Sequence, residues 1–478
     1  MRQARAVVLF LTVAAASAGV RAAPAPPTAS PAAKATVARQ AEDPRLAGAS
    51  RSQRGGWTVV RLTGTPEQVG YQHGRLLAPE IADALAVARL ELTHDGARDW
   101  VFYRNAAETV FWPHVDPEYR QEMQGIADGA TAGGTKADLW DIVALNANIE
   151  FGYYTATLEK PAQSKAPDHC SAFVATGRWT KDHRPVIAHN NWSSYIDGSR
   201  WNVIFDIRPA RGQRILMDGY AGLIHSGDDF GINAAGIAVT ETTITGFKGF
   251  DPNGVPEFVR ARKALQYATS IDAFDRIMRE GNNGGYANAW LVADVNTGEV
   301  ARLELGLKNV SLERTRDGYF VGANFPVSPK LAAEETDFKL DDPSQSANAR
   351  RVRWEQLMKE NQGRIDLTLA RAFMADHYDA YEKKADAPSE RTLCGHVELS
   401  PRGMGSWTGP YGPNGTVQSK AADAAMVKRM AFQAAMGHPC GTTFRAAPHL
   451  ERHPEFAWQK PLLRDLVAGP WTSFEAAR

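Results

Sequence analysis

Cys170 offers the most chemistry of any residue in this chain. It stands in Ala166-Pro167-Asp168-His169-Cys170-Ser171-Ala172-Phe173-Val174-Ala175-Thr176-Gly177, where a Pro- and Lys-containing loop from Leu158 to His169 runs into an apolar stretch with the look of a buried strand. Cutting the His169–Cys170 bond would turn Cys170 into a chain terminus, with a thiol and a free α-amine on one residue. An α-amino group has a pKa of about 7.7–8.0, so part of the population acts as a base near neutrality. Thiol and base are then adjacent without a separate catalytic histidine. The competing reading of a cysteine in an apolar run is a small buried hydrophobe, so the decision falls to the residues around it.

Four polar positions downstream fit the needs of such a nucleophile, which are donors aimed at a developing oxyanion and groups that hold the thiolate and the amine. His189-Asn190-Asn191-Trp192-Ser193-Ser194-Tyr195 follows an apolar strand and is expected at its rim, with His189 and Asn191 as candidates. The bland alternative is a turn beside a buried Trp. Glu241, inside Thr240-Glu241-Thr242-Thr243, is a half-buried carboxylate in need of a partner. Asn288 opens the apolar run Ala287 to Asp294, where an amide requires a hydrogen-bonded role, and oxyanion donor is the functional choice. The adjacent acids of Ser226-Gly227-Asp228-Asp229-Phe230 read more simply as turn caps.

These residues need elements to position them. Thr65 caps a helix with Pro66 at its first position, and helical spacing continues to about Leu92. Further helical patterns cover Trp100–Val115, Pro117–Thr131 and Ala137–Glu150. From Cys170 the period shortens to strands at Ser171–Thr176, Pro185–His189, Trp201–Arg208, Arg214–Asp218, Gly236–Thr243, Ala287–Asp294, Glu299–Leu305, Asn309–Thr315 and Tyr319–Ala323. Helices are expected at Val255–Ala268, Ile271–Glu280, Asn348–Glu360 and Leu367–Asp376. After a Gly/Pro-rich crossing from Pro401 to Gly415, a last strong helix is expected at Ala421–Met436. Strand runs flanked by helical blocks imply an α+β protein with helices outside two antiparallel sheets.

The composition excludes several partners. Of 478 residues, Lys+Arg and Asp+Glu each number 54, which gives no footprint for nucleic acid or an anionic membrane. No Cys-x-x-Cys or His-Glu-x-x-His spacing signals a metal, and no cofactor is implied. Met1 to Arg5 is basic, Ala6 to Val20 apolar, and small residues follow at Ala22 and Ala23, which reads as a signal peptide over 1–22. The expected location is therefore exported, either periplasmic or secreted, or lysosomal in a eukaryote. Residues 23–54 read as a disordered Ala/Pro-rich leader. In an oxidising compartment Cys394 and Cys440 could pair as a disulfide, leaving Cys170 as the odd thiol.

Taken together the motifs resemble the phospholipase B-like family of N-terminal nucleophile (Ntn) hydrolases. The matching words are Cys170-Ser171-Ala172, the segment His189 to Tyr195, Ser226 to Phe230, Glu241-Thr242-Thr243 and Asn282-Asn283-Gly284-Gly285-Tyr286. Gly64-Thr65-Pro66 through His73-Gly74, Gly415 to Lys420, and Pro454-Glu455-Phe456-Ala457-Trp458 extend the match. More distantly the chain is similar to penicillin-type acyltransferases, bile-salt hydrolases and acid ceramidase. The resemblance implies an αββα sandwich, a helical segment 55–169 intertwined with a chain 170–478, and cleavage between His169 and Cys170. It also implies Cys170 as nucleophile, His189 or its Asn neighbours near the amine, and Asn288 as oxyanion donor. Many relatives place an Arg and an Asp just after the nucleophile strand, where this chain has His189 and Ser193. The expected substrate is a small-molecule acyl amide or a lipid ester. Acyl transfer to an amine and an inactive acyl-ligand binder are the alternatives, and a homo-oligomer is left open.

Overall fold

The computed structural model describes residues 43–159, 170–405 and 407–477. The expected signal peptide, most of the leader, and His169 with the loop ahead of Cys170 lie outside them.

The chain enters through a hairpin of β1 (Ser50–Arg54) and β2 (Trp57–Gly64), then runs through six helices. These are α1 (Pro66–Leu76), α2 (Ala78–Thr93), α3 (Trp100–Ala106), α4 (Pro117–Ala132), α5 (Leu139–Asn146) and α6 (Asn148–Leu158). Thr65 caps α1 in a capping box with Gln68, as its position beside Pro66 predicts. Strands dominate after Cys170: β3 (Ser171–Ala175), β4 (Val186–Ser194), the short helix α7 (Tyr195–Gly198), then β5 (Val203–Pro209), β6 (Ile215–Gly219), β7 (Gly231–Asn233) and β8 (Ile237–Thr243). Helices α8 (Glu257–Tyr267) and α9 (Ile271–Arg279) precede β9 (Asn288–Asp294), β10 (Glu299–Leu305), β11 (Val310–Thr315) and β12 (Tyr319–Gly322). Then come α10 (Pro329–Glu335), α11 (Ser346–Glu360), α12 (Leu367–Met374), β13 (Asn414–Asp423), α13 (Ala424–Lys428), β14 (Ala431–Met436), α14 (Ala446–Arg452) and β15 (Thr472–Glu475).

Two sheets result, in the orders β1-β2-β5-β6-β7-β8-β9-β10-β11 and β12-β3-β4-β13-β14-β15. They pack face to face over a dry core that includes Ala172, Val174, Ile187, Ile204, Leu291 and Phe432. α1, α8 and α9 lie against the first sheet, and α11 and α12 against the second. This is the αββα layering that the pattern implies. The pairing within the sheets is antiparallel except between β2 and β5, which run parallel and are joined by a long connection that carries α1 to α6 and then β3 and β4 of the other sheet.

Three expectations fail. The leader ends earlier than expected, because Pro44–Leu46 form a 3-10 turn and Ser50–Arg54 form β1 on the edge of the first sheet. That strand is exposed at every position, so it shows no alternation. His189 to Ser194 do not follow a strand but lie within β4, between β3 and β13. The expected helix Ala421–Met436 is instead the end of β13, a single turn α13, and β14. Alanine favours helix in isolation, yet β13 is buried on both faces between β4 and β14. There Ala422 fills the intersheet core and Ala421 the helix-side core, so tertiary burial overrides the local preference.

The first helical layer depends on two glycine pairs. Gly70 and Gly74 on α1 face Gly125 and Gly129 on α4, and a Cβ at any of them would meet partner backbone, at Gly125 the carbonyl oxygen of Glu67 at 2.5 Å. No side chain fits between the two helices. Gly74→Ala or Gly125→Ala is expected to cost about 1–3 kcal/mol or more by overpacking. Gly409→Ala, where an added Cβ meets nothing within 4 Å, should change little, and chemical denaturation of the three variants compares them.

Candidate active site

Cys170 sits one residue ahead of β3 with φ of 82°, in the left-handed region that an L-residue rarely occupies. Backbone conformations of this kind cluster at functional sites, where the surroundings over-determine them. Here the surroundings include Arg350 from α11. Its Nη1 donates to the Cys170 carbonyl at 2.5 Å and to Ser171 Oγ at 3.2 Å, and its Nη2 donates to Asn324 Oδ1 at 3.0 Å. The guanidinium also lies over the Trp192 ring, 4.4 Å from its centroid. An arginine thus clamps the carbonyl of the candidate nucleophile and is itself held by the neighbouring strand.

The pleat of β3 and β4 does the rest of the positioning. His189 pairs opposite Ala172, two residues beyond Cys170. The Cys170 thiol, a His189 ring nitrogen and a Glu241 carboxylate oxygen from β8 all lie within 4.8 Å of one another. Glu241 Oε1 accepts from the Tyr286 hydroxyl at 2.8 Å, while among the described residues Glu241 Oε2 and both nitrogens of His189 have no hydrogen-bond partner. All three groups are driven towards their neutral forms. Burial, with the charge of Glu241, raises the Cys170 thiol well above its ordinary value. Burial and the Lys420 charge push His189 well below the usual imidazole range. Burial and Asp229 raise the Glu241 carboxyl. A neutral imidazole keeps one lone pair, so His189 offers the thiol an acceptor nitrogen.

Behind His189 lies a buried charge cluster. Lys420 on β13 pairs in register opposite His189 and is fully buried. Its ammonium contacts Asp228, and it lies 3.3 Å from Asp218 Oδ2 on β6. Asp228 Oδ2 is 3.8 Å from His189 Nδ1. Ser226 Oγ donates to Asp228 Oδ1 at 2.6 Å, and Gln418 Nε2 to Asp218 Oδ2 at 2.6 Å. Burial opposes ionisation of both acids. For Asp228 the Lys420 charge prevails and holds its carboxyl below the usual range. For Asp218, burial and the negative charge of Asp228 win, and its carboxyl is raised well above. The single ammonium thus lies between two buried acids whose ionisation is biased in opposite directions.

The structure brings Cys170, His189 and Glu241 together. Asn191 stays on β4 opposite Gln418, and Asn288 on β9 opposite Thr243, each in a strand that packs close to the site. Neither bonds to the thiol. Among the described residues, Asn191 Nδ2 and both amide atoms of Asn288 are buried without hydrogen-bond partners, an arrangement that calls for a role. Asp228 and Asp229, expected as turn caps, are instead buried and separated in role: Asp228 joins Lys420, and Asp229 Oδ1 lies 3.6 Å from His225 Nδ1. Cys394 and Cys440, whose pairing the sequence left open, are free thiols. Arg350, Asp218 and the part played by Lys420 escape sequence reasoning. The one available signal is a charged Lys420 inside an otherwise strand-like run.

The architecture is thus a four-layer αββα sandwich with a cysteine opening a strand of one inner sheet. Residues 97–306 match the family model described as Phospholipase B. The chain is 24% identical over 349 residues to "Putative phospholipase B-like 1" of Caenorhabditis elegans, covering 65% of this chain and 59% of that protein. It is 34% identical over 145 residues to "Putative phospholipase B-like 2" of Rattus norvegicus, covering 26% and 24%. It is 27% identical over 240 residues to the "Acyl-coenzyme A:6-aminopenicillanic-acid-acyltransferase 40 kDa form" of Emericella nidulans, covering 49% and 59%. The chain thus spans less than two thirds of these relatives' lengths. Among solved structures, penicillin V acylase from Agrobacterium tumefaciens aligns at 15% identity with a TM-score of 0.31, covering 56% of this chain and 83% of that one. A variant of conjugated bile acid hydrolase from Clostridium perfringens aligns at 11% and 0.34, covering 56% and 89%. The similarity to phospholipase B-like proteins that the motifs suggest therefore holds.

Removing the ammonium from the buried cluster leaves Asp228 without its counter-charge. Lys420→Met is expected to lose about 3–5 kcal/mol of stability. Adding Asp228→Asn to it should restore part of that loss, and urea denaturation of the single and double variants measures both.

Proposed function

We propose that this protein is an exported, self-cleaving acyl hydrolase whose nucleophile is Cys170 at a chain terminus created by scission of the His169–Cys170 bond. The observation that carries the reading is the convergence of a thiol, a neutral imidazole and a carboxyl at a residue with positive φ, beside buried amides that lack partners.

In maturation, His189 takes the thiol proton and sulfur attacks the carbonyl carbon of His169. The C–N bond breaks, a thioester forms, and the departing Cys170 nitrogen receives the proton. Water then hydrolyses the thioester and frees both the thiol and a carboxylate. In turnover the new α-amine serves as the base, and the thiolate attacks an amide or ester carbonyl. The amide N–H groups of Asn191 and Asn288 act as oxyanion donors, the unpartnered Glu241 oxygen receives the amine, and water resolves the acyl-enzyme. Arg350 holds the Cys170 carbonyl still throughout.

Access is part of the proposal. Cys170 is 1% exposed, and cavities of about 420, 300 and 240 Å³ lie elsewhere without it. Scission ahead of Cys170 makes that residue a chain end, and access of substrate to its thiol is what the proposal requires of the cut form. Similarity to an enzyme named as an acyltransferase supports a second reading, in which an amine replaces water as the acyl acceptor.

Wild-type protein is expected as two fragments on a denaturing gel and Cys170→Ala as one uncut chain, inactive on chromogenic acyl amides and esters. Two fragments from Cys170→Ala would rule out self-cleavage. An uncut, inactive wild type would favour the ligand-binding alternative. An N-acyl product on adding amines would select transfer over hydrolysis.

A further inference from the structure

On the second sheet's helix-side face, a second cluster of ligating side chains has no part in the acyl chemistry. Asn190 of β4 points to that side, its Nδ2 donating to the carbonyls of Met374 at 2.9 Å and Leu393 at 2.8 Å. Those bonds dock the end of α12 and the segment around Cys394 onto the strand that carries His189 on its opposite face. Four side chains meet beside this docking point: His377, Cys394, His396 and Cys440. Their ligand atoms all lie within 4.8 Å of one another. His396 Nε2 is 3.4 Å from Cys394 Sγ and 3.5 Å from Cys440 Sγ. A tetrahedral zinc site with bonds of about 2.0–2.3 Å has ligand–ligand edges of about 3.6 Å, close to both separations.

The outer groups are arranged as a metal site requires. Histidine ligands usually give their second ring nitrogen to a carboxylate, which fixes the tautomer and turns the free lone pair to the ion. His396 Nδ1 is 3.0 Å from Glu398 Oε1, and His377 Nδ1 is 3.3 Å from Asp386 Oδ1. Both rings therefore aim Nε2 inwards, and His377 Nε2 is buried facing the Cys440 thiol, with no hydrogen-bond partner of ordinary geometry among the described residues. Glu398 is held in turn by the Tyr195 hydroxyl at 2.5 Å, and the His438 ring stacks on His396 at 3.9 Å.

We propose that His377, Cys394, His396 and Cys440 form a structural zinc(II) site. Two thiolates and two imidazoles suit zinc over oxygen-preferring cations, and four protein ligands leave no open position for substrate, which marks the site as structural. On binding, the two thiols each lose a proton, four bonds form to the ion, and no electron is transferred. The ion would tie together three stretches with little regular structure: the one after α12, the one around His396, and the one after β14. It would thereby brace β4 from behind. The inference is independent of the acyl-hydrolase reading.

The full-length protein, purified without chelators and exchanged into metal-free buffer, is expected to carry about one zinc per chain by elemental mass spectrometry. Replacement by cobalt(II) should produce the intense visible bands of a tetrahedral thiolate site. Cys440→Ser and His377→Ala should each weaken zinc retention at least tenfold against a competing chelator, while Cys170→Ala retains zinc as wild type does. Reduced wild-type protein that holds no zinc after incubation with zinc(II), or a Cys394–Cys440 cross-linked peptide in the unreduced digest, would overturn the proposal. So would full zinc retention by Cys440→Ser.

Discussion

Burying an ammonium between two sheets costs several kcal/mol unless a carboxylate accompanies it, and Lys420 meets that condition with Asp228 and Asp218. Much of the site follows from this ion cluster. It needs β13 beside β4, because the register sets Lys420 opposite His189. It needs β6 and the Ser226–Phe230 turn on the facing sheet to bring the acids across the dry core. Once assembled, its positive charge adds to the effect of burial in pushing the His189 imidazole below its usual range. The charge that could not be stable alone thereby bears on a residue whose ring lies beside the thiol.

The same dry environment acts on each member of the site. Cys170 and Glu241 are both pushed towards their neutral forms by lost hydration, so the uncut site disfavours a negative charge on either. A new α-amine at Cys170 would change that balance by adding a base or a positive charge where none exists. Arg350 contributes differently: bound to the Cys170 carbonyl and stacked on Trp192, it holds the backbone in a conformation that a free chain would leave. Position and electrostatics are thus supplied by different layers, α11 for the first and the facing sheets for the second.

Cys170, His189, Glu241 and Asn288 were legible in the sequence because a polar residue inside an apolar strand stands out against its neighbours. Nine of the ten strands from β3 to β12 were legible for a related reason, since Gly, Asp and Asn turns separate short β-branched runs, and only the three-residue β7 was missed. What stayed hidden depends on partners distant in the chain. Arg350 sits in an ordinary helical pattern and gains meaning only by reaching Cys170. The alanines from Ala421 to Ala435 read as helix until two flanking strands bury them on both sides. The polar residues of β1 read as leader because an exposed edge strand needs no apolar face. The His377–Cys440 cluster matches no compact ligand spacing, since three separate loops supply it.

The most direct test of the central claim is the mass and N-terminal sequence of the purified protein after brief treatment with a thiol-directed acyl probe. The account predicts a fragment that begins at Cys170 and ends with the chain, carrying one acyl label on that cysteine. A single intact chain with Cys170 internal and unlabelled, in protein that nevertheless turns over acyl amides or esters, would contradict it.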